Sequence, residues 1–99
     1  MPAPLELEAF CQNEYRPLIG MLTLYTGDAE VARDLAQEAL ARLCANWRRV
    51  RRMEAPGPWL HRVAINLANS HFRRKLAERR ASHRLQARLE GWLEESDVP

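Results

Sequence analysis

Between Ala29 and Trp47 the apolar residues recur at intervals of three and four. Ala32, Ala36, Ala39, Leu43 and Trp47 form one stripe, widened by Leu35, Leu40 and Cys44. Only an α-helix places such positions on a single side of the chain. No breaker interrupts the stretch, and Glu30 and Asp34 lie near its start, where the helix dipole favours anions. A segment of this kind must bury its stripe against other helices. The rest of the chain supplies helices and nothing else: no run alternates apolar and polar residues, and Ala, Leu, Arg and Glu dominate. An all-α domain is therefore expected, a compact bundle of three main helices. The 99 residues suffice for one small domain.

The first helix is expected from about Leu5 to Tyr25, with Leu7, Phe10, Cys11, Leu18, Met21, Leu22 and Tyr25 at helical spacing and Pro17 as a kink or interruption. Thr26-Gly27-Asp28 reads as a stop followed by a start: Gly27 suits the left-handed position after a helix, and Asp28 can cap the next one. After Trp47 the run RRVRRMEAPGP, residues 48–58, is expected to be a connecting loop. The third helix is expected to open at Pro56 or Pro58 and to reach at least Arg80. On its wheel Leu60, Val63, Ala64, Leu67, Ala68 and His71 cluster on one side, and Arg62, Asn66, Asn69 and Arg73 on the other, with Trp59 nearer the polar face. Beyond Arg80 the pattern weakens. Leu85, Leu89, Trp92 and Leu93 could extend the helix, and Ser96 to Pro99 reads as a frayed end.

Charge along the chain is segregated. Residues 1–47 carry seven acids against three bases, residues 48–88 twelve bases against two acids, and residues 89–99 four acids and no base. A basic block between two acidic ones points to a polyanion on one surface and a different partner on another. From Ala55 to Ala77 there is no acid at all, whereas a merely solvated helix face usually mixes both signs. Asn side chains can read base edges, Arg and Lys hold phosphates, and an indole can stack on a base. On the second helix Asp34, Gln37 and Glu38 fall at i, i+3 and i+4, a polar ridge that is either an ordinary solvent face or a dock for a basic protein surface.

Enzyme chemistry finds no footing. The chain has no H-E-x-x-H, no phosphate-cradling glycine loop and no G-x-S-x-G, and His61, His71 and His83 lack a Cys or carboxylate at ligand spacing. No catalytic residue, metal or cofactor is expected. Cys11 and Cys44 read as reduced core thiols. Without a signal peptide or an apolar run of membrane-spanning length, the expected location is the cytoplasm.

The run DAEVARDLAQEALARL from Asp28, followed after the connection by WLHRVAINLANSHFRR from Trp59, resembles region 2 of extracytoplasmic-function sigma factors, within the sigma-70 family. Two motifs in the right order and spacing, covering about Phe10 to Arg80, make the match specific. The resemblance implies a sigma region 2-like helical domain over residues 1–80, with 81–99 as the start of an interdomain linker or a helical C-terminal extension. It implies a non-enzymatic specificity subunit that binds the β′ clamp helices of the RNA polymerase core. Asp34, Gln37 and Glu38 match the core-binding motif, with Leu35 and Arg42 as neighbours. Arg48, Arg49, Arg51 and Arg52 lie in the segment matching the loop that captures a flipped base of the promoter −10 element. Trp59, Arg62, Asn66, Asn69, Arg73 and Arg74 match the helix that faces the single-stranded non-template DNA. An anti-sigma factor is a further implied partner. Three features depart from the family pattern: Gly57-Pro58 ahead of Trp59, Ser70 where an Asp is common, and no room in 99 residues for the domain that reads the −35 element. From the residues alone, a helical interaction module whose basic surface binds RNA or an acidic protein is the alternative.

Overall fold

The computed structural model describes residues 5–96, and all regular structure among them is helical. Helix α1 spans Leu5–Thr26, α2 Ala29–Ala45, the single turn α3 Trp47–Val50, and α4 Pro56–Ser96. The expected frayed end falls partly on residues 97–99, which lie outside the described residues.

Pro17 does not interrupt α1. Its missing N–H leaves the carbonyl of Asn13 without a helical donor, but both residues are exposed, so water can take that place. The α1–α2 corner follows the sequence closely. Gly27 has φ 74°, and its N–H donates to the Thr23 carbonyl at 2.8 Å. Asp28 then caps α2, its Oδ1 accepting from the Glu30 and Val31 amides at 2.9 and 3.2 Å. Thr26 ties the corner down, donating through Oγ1 to the Leu22 carbonyl at 2.8 Å.

The chain divides into two compact units, Met1–Asn69 and Ser70–Pro99, with the boundary inside α4. The first holds the core. Leu18 and Leu22 of α1, Ala32, Ala36, Ala39 and Leu43 of α2, Val50 of α3, and Leu60, Ala64 and Ala68 of α4 are fully buried, joined by Leu7, Leu35 and Trp47. Each fully buried Leu contributes roughly 1.5–3 kcal/mol. The alanines do something else: a methyl at the contact lets helix axes approach closely. The second unit is a stretch of α4 in which every described side chain from Phe72 to Glu95 is exposed. The all-α class is as expected, with four helices in place of three, but the single compact bundle expected of the chain is not found: the core is confined to the first unit, where the three- and four-residue periodicity finds partners. The helix itself runs on to Ser96, well past the weakening of the pattern at Arg80.

Candidate nucleic-acid interface

The arginine run after α2 is not a plain loop. Trp47 and Val50, three apart, both go into the core, which wraps the chain into the turn α3. The Phe10 and Trp47 rings meet at 5.8 Å between centroids. The Trp47 Nε1 is buried and has no hydrogen-bond partner among the described residues. Backbone bonds continue the turn: the Val50, Arg51 and Met53 amides donate to Asn46, Trp47 and Val50 carbonyls at 2.9, 2.8 and 3.0 Å. With two apolar anchors inward, Arg48, Arg49 and Arg52 are left outward, where with Met53 they line one open hollow. Arg49 leans on Asn46, donating to its Oδ1 at 3.4 Å. Arg51 is committed elsewhere, to Glu6 of α1 at 2.8 Å. Arg48 and Arg52 pair with no acid among the described residues.

Pro56 opens α4, where a residue without an N–H costs no hydrogen bond. The wheel of this helix is realised with Leu60, Ala64 and Ala68 buried, Val63 and Leu67 half-buried, and Arg62 and Asn66 exposed. Two residues depart from it. Trp59 is half-buried and packs against the core, so only part of its ring is open. Asn69 is also half-buried, and its Oδ1 accepts a 2.7 Å bond from the Tyr25 hydroxyl of α1. Near the interface, His61 lies 3.9 Å from Glu14. In the second unit Arg73 and Arg74 are exposed, Arg73 donating to Ser70 Oγ at 3.0 Å. Serine at position 70 accepts from Arg73 as a neutral hydroxyl and leaves the guanidinium charge unneutralised.

The acidic ridge is assembled on α2. Asp34, Gln37, Glu38 and Arg42 are exposed and line a shallow hollow with Ala41 and Ala45. Arg42 and Glu38 pair at 3.2 Å across one turn. Leu35, expected beside them, is only 6% exposed and belongs to the core. It supports the ridge from beneath and does not reach its surface. Cys44 also differs from expectation: it is exposed, while Cys11 is half-buried. Burial raises the Cys11 thiol above its ordinary range, and the neighbouring Cys44 thiol raises it further.

Sequence reasoning missed the Tyr25–Asn69 bond, the Glu6–Arg51 pair and the core role of Val50. The first two join residues 44 and 45 positions apart, beyond any local pattern. The third was visible as W-x-x-V inside the arginine run.

Among the described residues no group of three or more His, Cys, Asp and Glu could hold a metal. No described helix is long and apolar enough to cross a membrane. Neither a curated protein nor a solved structure matches the chain. Residues 11–78, more than half of the sequence, match the family Sigma-70 region 2. That span takes in the acidic ridge, the arginine turn and the first part of α4 together. The chain belongs to the sigma-70 region 2 family, in its extracytoplasmic-function form.

Proposed function

We propose that this domain is a transcription-initiation specificity module with two separate binding surfaces. Asp34, Gln37, Glu38 and Arg42 dock onto the β′ clamp helices of core RNA polymerase. Arg48, Arg49 and Arg52 of the turn, with Trp59, Arg62, Asn66, Asn69, Arg73 and Arg74 of α4, take the non-template single strand of the −10 element. The observation that carries this reading is the outward placement of Arg48, Arg49 and Arg52 around one hollow, forced by the burial of Trp47 and Val50. A cluster of guanidinium groups on a turn anchored by two buried side chains suits a phosphate backbone turning sharply around an extruded base. Extruding the base costs a few kcal/mol of stacking. Binding the opened strand offsets that cost, so recognition and melting occur as one event. Arg51, held by Glu6, acts in this scheme as a brace between the turn and α1.

The test is three variants measured against two ligands. Glu38→Arg should weaken binding to core polymerase and leave binding to a −10 single strand intact. Asn66→Ala and Arg73→Ala should do the reverse. Equal loss of both activities in any one of the three would count against two separate surfaces. An affinity indifferent to strandedness and sequence would instead favour a module that binds RNA or an acidic protein through its basic surface.

A further inference from the structure

Three contacts set α1 against the end of α2 and the turn α3 in antiparallel register. Glu6 meets Arg51 at 2.8 Å, and the Phe10 and Trp47 rings meet at 5.8 Å between centroids. Cys11 follows Phe10, and Cys44 stands three residues before Trp47. The third contact joins these two sulfurs: the Cys11 and Cys44 thiols hydrogen-bond to each other. They are the chain's two cysteines, distant in sequence, and both are reduced. Their surroundings differ. Cys44 is exposed, whereas Cys11 is half-buried against the core. Neither surface proposed above uses either thiol.

We propose that Cys11 and Cys44 form a reversible oxidation site, in which a peroxide converts the two thiols into a disulfide joining α1 to α2. The Cys44 thiolate, being the accessible one, attacks a peroxide oxygen. A sulfur–oxygen bond forms, the oxygen–oxygen bond breaks, and the leaving hydroxide takes up a proton to become water. The Cys11 thiolate then attacks the Cys44 sulfur. The sulfur–sulfur bond forms, the sulfur–oxygen bond breaks, and a second water leaves. Two thiols and one hydrogen peroxide thus give one disulfide and two waters, the sulfurs losing two electrons and the peroxide gaining them. Packing already holds the thiols at hydrogen-bonding range, so closing the bond asks mainly for side-chain rotation. In a reducing cell interior such pairs stay open and close only while an oxidant is present. The loop closed here runs along α1, through the Gly27 corner and along α2. It therefore restrains the helix that carries Asp34, Gln37 and Glu38 and leaves the arginine turn outside.

Treating the full chain with hydrogen peroxide, then alkylating it and mapping peptides without reduction, tests this. The product should be a single chain that has lost two hydrogens, with no thiol left to alkylate and the Cys11 peptide linked to the Cys44 peptide. A dithiol should restore both thiols. The melting midpoint of the oxidised chain should lie about 5–15 °C above that of the reduced one. Cys11→Ser should stop the reaction at a Cys44 sulfenic acid, trapped by dimedone. Cys44→Ser should lose the link and consume peroxide several-fold more slowly. Oxidation of the unsubstituted chain that leaves Cys11 open to alkylation would overturn the proposal, as would a disulfide between two chains in place of one between two helices. A lowered melting midpoint would do so too, because the bond would then be pulling α1 and α2 out of register. Undiminished peroxide consumption by Cys44→Ser would remove the exposed thiol from its role.

Discussion

The Tyr25 hydroxyl, at the end of α1, donates a 2.7 Å hydrogen bond to the side-chain carbonyl of Asn69, 44 residues later on α4. The bond fixes one of the asparagines proposed to meet DNA. With one lone pair of Oδ1 engaged by Tyr25, its Nδ2 donors and the second lone pair remain for a ligand. Tyr25→Phe should cost about 0.5 kcal/mol, the low end for a hydrogen bond because water reaches this one. Asn69→Ala should remove the same coupling. A double-mutant cycle by urea unfolding checks it, and strict additivity of the two losses would exclude a stabilising bond.

The α1–α2 corner has two separable parts. Gly27→Ala places a Cβ in open space, so only the backbone conformation at φ 74° is penalised. The expected loss is about 1–2 kcal/mol. Asp28→Ala removes the acceptor of two amides and should cost about 1 kcal/mol. Thermal or urea unfolding of the two variants measures both, and an unchanged midpoint for Gly27→Ala would mean the corner relaxes into another turn.

The two cysteines should differ in reactivity. Cys44 is exposed, whereas Cys11 is half-buried with its thiol pushed up by burial and by Cys44. A raised thiol value means less thiolate at a given pH, and thiolate is the nucleophile. Alkylation followed by peptide mass mapping should therefore label Cys44 first near neutrality. Labelling of Cys11 should accelerate only as the solution is made more alkaline. Equal rates at neutral pH would contradict the packing of α1 on α2 at this point.

The arginines of the turn should not contribute equally to DNA binding. Each phosphate contact to a single strand contributes about 0.7 to the slope of log K against log salt. Arg48→Ala and Arg52→Ala should each lower the slope by roughly that amount. Arg51→Ala should lower it less, because Arg51 is held by Glu6 at 2.8 Å. Fluorescence anisotropy titrations of a −10 single strand at several salt concentrations give all three values, and a larger effect from Arg51 would put the strand on the α1 side of the turn.

Local chemistry settles much of this protein before it folds. The three- and four-residue periodicity of α2, the Thr26-Gly27-Asp28 corner, the prolines opening α4 and the polar side of α4 around Arg62 and Asn66 are all present in the order of residues, because each depends on neighbours within a turn or two. The same holds for the segregation of charge and for the ridge of Asp34, Gln37 and Glu38. What the order of residues leaves open is whether a given apolar side chain meets anything. Leu35 and Leu85 are both leucines on helical stripes, yet the first is in the core and the second is exposed. Val50, set among arginines, becomes a core anchor and turns an expected loop into a helical turn. Cys44, on the margin of its stripe, stays exposed. Asn69 and Arg51 acquire partners on α1 that lie too far away in sequence for any periodicity to announce. Burial and long-range pairing depend on which surfaces the helices bring together, and that is decided only when they pack.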